Sequence, residues 1–158
     1  IMFRDITTLI KDPAGLKLVI KELSDRYSKL NIDKIAGIES RGFIIGAPLA
    51  YELNLGFIPI RKKGKLPAET IGCDYELEYG TDRIEIHTDS ISAGDRILLI
   101  DDLIATGGTA EAAVKLIEMS KGTLVECAFI VDLPDLGGTK RLQKMGVTVF
   151  SLTKFDGH

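Results

Sequence analysis

Short apolar runs alternate with longer amphipathic segments along most of the chain, a layout typical of an α/β fold. The first helix is predicted to start at Asp12 as N-cap and Pro13 as first helical residue. Later strands and helices are predicted in alternation: strands at 34–38, 57–61, 97–100, 124–131 and 147–152, and helices at 43–53, 110–119 and 137–144. Residues 75–79 and 83–87 alternate around Gly80-Thr81-Asp82, which predicts a β-hairpin.

The strongest candidate chemistry lies at 97–119, where a buried strand, a glycine-rich turn and a helix follow one another. This layout presents backbone N–H groups and the positive end of a helix dipole to an anion. The turn contains Gly107 and Gly108, both predicted to take positive φ angles close to a ligand. Thr106 and Thr109 add hydroxyl donors, so the turn is a candidate phosphate site.

Two carboxylates, Asp101 and Asp102, stand just before this turn. Because a carboxylate repels a phosphate, the pair is predicted to address vicinal hydroxyls or a divalent metal on the same ligand. A ligand with a phosphate at one end and a diol nearby is a ribose 5-phosphate. The alternative is a strand that ends in a solvated acidic turn before an ordinary helix.

A second polar turn, 39–42, follows the strand at 34–38. Turns at the carboxyl ends of neighbouring parallel strands form the crevice in which open α/β sheets bind ligands. Arg41 could offer a fork of donors to a second phosphate group, or could be a surface residue paired with Glu39. The cationic run 62–67 is either a solvated loop or a mobile lid over a diphosphate.

Composition narrows the class of protein. The 158 residues suffice for one domain, and the net charge of -3 offers no basic field for nucleic acid. No apolar run approaches the length of a membrane span, about 18 residues. Cys73 and Cys127 are predicted to be free thiols in a reducing, cytoplasmic environment. Because the chain begins at Ile1, we expect that a leading segment is missing.

The segment of hydrophobic residues, two acids and Ala-Thr-Gly-Gly-Thr resembles the phosphoribosyl-diphosphate motif of type I phosphoribosyltransferases. The resemblance implies a mostly parallel twisted sheet flanked by helices, with a β-hairpin lid and a small hood. The flexible lid loop and the hairpin would together span 62–87. The resemblance also implies that Asp101 and Asp102 hold the ribose hydroxyls. The 5′-phosphate would be held by the turn itself, which comprises Ala105, Thr106, Gly107, Gly108 and Thr109.

Further pieces resemble one branch of that family, the adenine phosphoribosyltransferases. They are Phe3-Arg4-Asp5-Ile6, Lys11-Asp12-Pro13, Ser40-Arg41-Gly42-Phe43, Arg61-Lys62-Lys63-Gly64-Lys65-Leu66-Pro67 and Leu77-Glu78-Tyr79-Gly80. This resemblance implies conversion of adenine and 5-phospho-α-ribosyl 1-diphosphate to AMP and diphosphate, with Mg²⁺, in a cytoplasmic homodimer. One departure is the absence of the N-terminal helical segment that helps to build the family's hood.

The same resemblance assigns roles to individual residues. Arg41 and Lys65 would contact diphosphate. Phe3 and Leu133 would cover the two faces of adenine, while the backbones of Met2 and Arg4 read its edge. Glu78 would carry a proton to the purine imidazole nitrogen, although alternation alone predicts a surface acid there. Mg²⁺ would be held mainly by substrate and water, with no direct protein ligand.

Two other functions stay open from the sequence. One is the same chemistry on another base, such as hypoxanthine, guanine, xanthine or orotate. The other is a regulator on the same fold that senses the sugar diphosphate without reacting. A flavodoxin-like phosphate-binding domain would leave the acidic pair and the cationic run unexplained.

Overall fold

The computed structural model describes residues 6–77 and 79–156, which form alternating helices and strands. The helices are α1 (Thr7–Lys11), α2 (Pro13–Tyr27), α3 (Arg41–Leu53), α4 (Gly108–Met119) and α5 (Gly138–Lys144), with a 3₁₀ turn at Pro134–Leu136. The strands are β1 (Lys34–Ile38), β2 (Gly56–Lys62), β3 (Thr70–Glu76), β4 (Thr81–His87), β5 (Arg96–Ile104), β6 (Thr123–Asp132) and β7 (Val149–Lys154).

Within the described residues the strands form one seven-stranded sheet in the order β3-β4-β2-β1-β5-β6-β7. The strands β2, β1, β5, β6 and β7 run parallel, and β4 is antiparallel to both β2 and β3. The carboxyl ends of β1, β2, β5 and β6 therefore lie along one edge of the sheet. The turns that follow these strands are the parts of the chain predicted to bind ligand.

The central strand β5 is covered on both faces, which explains the apolar run at its residues 97–100. Ile97 and Leu99 belong to the core on the side of α4. Leu98 and Ile100 belong to the core on the side of α2 and α3. All four side chains are at most 1% exposed, so the base of the crevice is rigid.

Several element bounds differ from the predictions, and three of these differences bear on the predicted site and its lid. Strand β5 continues through Asp101 and Asp102 to Ile104, because Asp101 and later residues still pair with β6. Helix α3 begins at Arg41 and contains Pro48 in its interior. The hairpin turn lies at residues 77–80, where the Leu77 N–H donates to the Gly80 carbonyl at 2.9 Å.

The segment 62–87, predicted as a flexible lid loop and a hairpin, has these two parts in the structure. Residues 63–69 form a mostly exposed connection between β2 and β3. The hairpin beyond it is joined to the sheet through β4, and its Ile84 and Ile86 are fully buried. Motion of a lid stays a prediction, and the exposed connection is the part that could move without opening the core.

Candidate active site

The glycine-rich turn lies where the sequence predicts it, between the end of β5 and the start of α4. It lines a hollow of about 200 Å³ together with Leu103, Ile104 and Ala110. Gly107 has a φ of +88° and is the N-cap of α4, as its predicted role requires. The prediction for Gly108 was wrong, because this residue already belongs to the helix and is not among the glycines with positive φ.

The N-terminus of α5 supports this turn from behind. The Gly138 N–H donates to the Ala105 carbonyl at 2.9 Å. A Cβ on Gly107 would lie 2.9 Å from the Gly138 Cα, so both positions need glycine for the two backbones to meet. Sequence analysis missed this contact, although the pair Gly137-Gly138 before a helix was a visible signal.

Arg141 on α5 is a second residue that sequence analysis missed. Its Nη1 donates to the Thr106 carbonyl at 3.4 Å, and its Nε donates to Glu111 on α4. The guanidinium therefore joins the turn to the two helices beside it. Nothing in the local sequence around Arg141 indicates this contact, since its partners are 30 and 35 residues away.

The two acids occupy different environments. Asp102 is buried, and its Oδ2 accepts a hydrogen bond from the Arg41 Nε at 2.5 Å. Asp101 lies beside it, and its Oδ1 accepts from the Asp102 N–H at 2.8 Å. Burial of the Asp101 carboxyl group, together with the negative charge of Asp102, raises the pKa of Asp101 well above its usual range.

Helix α3 brings the second polar turn against this acidic pair. A Cβ on Gly42 would lie 3.2 Å from the Asp101 Oδ1 and 3.0 Å from the Ile100 carbonyl oxygen. Glycine at this position therefore lets the start of α3 approach β5, and Arg41 reaches Asp102 as a result. The peptide bond between Glu39 and Ser40, just before this helix, is cis.

The cationic run meets the same turn through Glu39. The Glu39 carboxylate accepts from the Lys65 Nζ at 2.8 Å and from the Arg61 Nε at 3.2 Å. Burial would raise the pKa of Glu39, but the hydrogen bonds from Lys65 and the Lys62 N–H outweigh it and lower that pKa. Lys62 donates its own Nζ to Asp82 at 2.7 Å and so joins the run to the hairpin.

The structure thus brings most of the predicted site residues to one edge of the sheet. Leu133 follows β6 at this edge and is 6% exposed, with its N–H donating to the Ile104 carbonyl at 3.0 Å. Met2, Phe3, Arg4 and Glu78 lie outside the described residues, and their roles stay predictions.

No group of three or more His, Cys, Asp or Glu residues that could hold a metal ion occurs within residues 6–77 and 79–156. Asp101 and Asp102 are neighbouring carboxylates at the edge where the sugar is predicted to bind, and carboxylate oxygens can coordinate a cation. In the same part of the chain no helix has both the length and the apolar character needed to cross a membrane.

The family model for the phosphoribosyl transferase domain matches residues 6–156, which is nearly the whole chain. The chain belongs to the phosphoribosyltransferase family. The sheet, the crevice and the glycine-rich turn described above are accordingly those of a phosphoribosyltransferase. The match extends through β6, α5 and β7, so the helix that supports the turn belongs to the same domain.

Individual members of the family cover almost the same length. The adenine phosphoribosyltransferase of Nitrosospira multiformis is 66% identical over 158 residues, which are 100% of this chain and 90% of that protein. The crystal structure of adenine phosphoribosyltransferase from Rhodothermus marinus is 50% identical with a TM-score of 0.92, covering 98% of this chain and 88% of that one.

A more distant structure was solved with ligands. It is the adenine phosphoribosyltransferase of Trypanosoma brucei in complex with AMP, pyrophosphate and ribose-5-phosphate. It is 33% identical with a TM-score of 0.88, covering 95% of this chain and 68% of that one. At such identities the likeness extends beyond the fold to the family.

Proposed function

We propose that this phosphoribosyltransferase transfers the 5-phosphoribosyl group to adenine, forming AMP and diphosphate in purine salvage. The observation that carries the proposal is the 66% identity, over the full chain, to a curated adenine phosphoribosyltransferase. In this reaction the bond between the sugar C1 and the diphosphate oxygen breaks, and a bond from C1 to adenine forms. The sugar carbon becomes electron-poor as the diphosphate departs with the bonding pair.

The phosphate end of the sugar is assigned to the turn from Ala105 to Thr109. Its backbone N–H groups lie just before and within the first turn of a twelve-residue helix, whose dipole favours an anion at this end. The turn is supported by α5 before any ligand arrives, so little ordering would be needed on binding. The 5′-phosphate would thus set the position of the whole sugar.

Asp101 and Asp102 are assigned to the ribose hydroxyls. Both residues lie among the last four of β5, directly before the phosphate loop. A sugar hydroxyl can donate to a carboxylate, which fixes the ring and places C1 for in-line attack. For Asp102 this requires that the diphosphate take Arg41 away from it, at least in part, because the two are paired in the structure.

Arg41 and Lys65 are assigned to the diphosphate. Both lie at the edge where β1 and β2 end, and both carry a positive charge that would stabilise the departing anion. Catalysis in this scheme consists of positioning and electrostatic stabilisation, with no covalent enzyme intermediate.

The base is assigned to a slot between Leu133 and Phe3, with the backbones of Met2 and Arg4 reading its edge and Glu78 moving its proton. The support for Leu133 is its place after β6, next to the carboxyl end of β5. Glu78→Gln is expected to reduce turnover far more than substrate binding. Single-turnover kinetics with an unchanged chemical step would remove Glu78 from this role.

Mg²⁺ is the expected cofactor, and the acidic pair fits it because hard divalent cations prefer carboxylate and phosphate oxygens. It would be held mainly by oxygens of the sugar diphosphate and by water, beside Asp101 and Asp102. Its contribution would be to neutralise charge on the leaving group.

The deciding experiment is AMP formation from labelled adenine and 5-phospho-α-ribosyl 1-diphosphate, with and without Mg²⁺. Parallel assays with hypoxanthine, guanine, xanthine and orotate test the base. A protein that binds the sugar diphosphate but releases no diphosphate with any base would be a sensor, which contradicts the proposal.

The protein is further proposed to work as a cytoplasmic homodimer. The two cysteines are free in the structure, as suits a reducing compartment. Helix α3 exposes Ile44 and Tyr51, which is 87% exposed, and these side chains would suit contact with a second copy. Light scattering after gel filtration measures the mass, and a monomer at working concentration contradicts this assignment.

A further inference from the structure

Glu39 is a half-buried carboxylate between the two elements assigned to the diphosphate. It follows β1 directly and precedes Arg41 by two residues. Its Oε1 accepts from the Lys62 N–H at 2.7 Å and from the Arg61 Nε at 3.2 Å. Its Oε2 accepts from the Lys65 Nζ at 2.8 Å.

The side chains of Glu39 and Lys65 differ in how freely they can move. The Glu39 side chain is 10% exposed, whereas that of Lys65 is 50% exposed and belongs to the connection between β2 and β3. Lysine carries its charge on a flexible four-carbon stem, so it can leave the pair without a change in the fold. Glu39 cannot follow it, because Lys62 and Arg61 hold the other carboxylate oxygen.

We propose that Glu39 is a positioning residue that holds Lys65 at the edge of the crevice and gives it up to the diphosphate of the substrate. This inference rests on the proposed function, which assigns Lys65 to the diphosphate. The Glu39 carboxylate is not left without partners when Lys65 departs, since its Oε1 keeps both of its donors. The substrate's diphosphate, with its greater negative charge, replaces the single carboxylate as partner of Lys65.

The Glu39–Lys65 pair would also speed the release of diphosphate. After the reaction, Glu39 competes with diphosphate for Lys65 and so assists product release. A carboxylate that merely stabilised the fold would have no such effect on diphosphate affinity. The exchange therefore predicts that removal of the Glu39 charge tightens diphosphate binding and slows turnover together.

The test is titration calorimetry of magnesium diphosphate against the full chain and its Glu39→Gln variant. Glutamine keeps an oxygen that accepts from the Lys62 N–H but loses the charge that competes for Lys65. We expect the variant to bind magnesium diphosphate about tenfold more tightly, the size of a typical coupling between charged neighbours. In turnover assays kcat and the KM for the sugar diphosphate should both fall.

A double-mutant cycle shows whether the effect passes through Lys65. In the Lys65→Gln background, Glu39→Gln should change diphosphate affinity by less than about twofold. Glu85→Gln is the matched control, because Glu85 accepts from the Gly64 N–H of the same connection at 3.1 Å and pairs with Arg83. It should leave diphosphate affinity within about twofold of the wild type.

Equal or weaker diphosphate binding by Glu39→Gln overturns the inference, as does a full gain in the Lys65→Gln background. Should Glu39→Gln fail to fold, Glu39→Asp keeps the charge but withdraws it by one methylene from Lys65. The aspartate variant should then bind diphosphate more tightly than the wild type, and an unchanged affinity overturns the inference. If the wild type makes AMP while these effects are absent, only the role of Glu39 fails; absence of AMP formation is the separate failure of the proposed function.

Discussion

The two ends of the crevice are built on different principles. At the phosphate end, backbone groups form the site, and neighbouring backbone holds them: Gly138 donates to Ala105, and its Cα lies in the space that a Gly107 side chain would need. At the diphosphate end, charged side chains form the site and are paired with one another, Arg41 with Asp102 and Lys65 with Glu39. One end is complete before the ligand arrives, and the other must exchange partners.

This difference follows from the chemistry of the two groups. The 5′-phosphate stays on the sugar throughout the proposed reaction, so its site need not change while the bonds at C1 break and form. The diphosphate must be bound, stabilised as it departs and then released. Ion pairs at a partly exposed surface are weak and exchange easily, whereas packed backbone does not.

Gly107→Ala is expected to disrupt the phosphate end of the crevice most strongly. The new Cβ would meet the Gly138 Cα at 2.9 Å and would also strain a residue at φ +88°. We expect kcat/KM for the sugar diphosphate to fall about 100-fold or more, because a misplaced phosphate moves the whole substrate. Steady-state kinetics with varied sugar diphosphate measures the loss.

Gly137→Ala is the matched control for this variant. Gly137 has a φ of +81°, but nothing lies within 4 Å of its added Cβ. It shares the backbone strain of Gly107→Ala without the overlap, and it should lower kcat/KM by less than about tenfold. Equal losses in the two variants would show that strain, and not contact with α5, explains the effect.

Asp101→Asn should have opposite effects on activity and on folding stability. Activity should fall about 10- to 100-fold, since the amide loses a charged acceptor for a sugar hydroxyl. The free energy of unfolding near pH 7 should rise by about 1 kcal/mol, because burial and Asp102 disfavour the ionised Asp101. Urea denaturation and turnover assays on the same samples measure both.

The pH dependence of folding stability shows in which direction Asp101→Asn should act. The pKa of Asp101 is higher in the folded than in the unfolded chain, so folding favours its protonated form. Its contribution to stability is therefore full below the unfolded pKa, about 4, and is lost as pH rises through the raised value. The difference between wild-type and Asp101→Asn stability should grow over this range; a constant difference contradicts the assignment.

Lys65→Gln should have a smaller effect, confined to the diphosphate end. We expect the KM for the sugar diphosphate to rise about tenfold, because one charged contact to the leaving group is lost. Lys63→Gln, at an exposed position of the same connection, should change KM by less than about twofold. Similar effects in both variants would indicate a diffuse field of positive charge in place of a specific contact.

The smallest effect is expected for Arg141→Gln. The side chain contacts the turn through a 3.4 Å hydrogen bond to the Thr106 carbonyl. Its loss should raise the KM for the sugar diphosphate about threefold with little change in kcat. Arg141→Lys, which keeps the charge but not the fork, should recover part of the loss; a larger effect on kcat than on KM would contradict a role in supporting the turn.

Most element positions could be predicted from the sequence, and the errors have physical causes. The end of β5 was placed too early, because Asp101 and Asp102 break the apolar run while the backbone continues to pair with β6. The hairpin turn was placed too late, since Gly80 suggested its start, whereas Thr81 and Asp82 pair with β3. In both cases the strand partner outweighed the local signal.

The order strand, acidic pair, glycine-rich turn and helix is written in consecutive residues, so the sequence by itself determined the phosphate loop. Local geometry suffices there, because a glycine, an apolar run and a helix start act over a few residues. The partners of its charged groups depended on the fold. Arg41 meets Asp102 across 61 residues and Lys65 meets Glu39 across 26, and only the packing of parallel strands side by side brings such residues together.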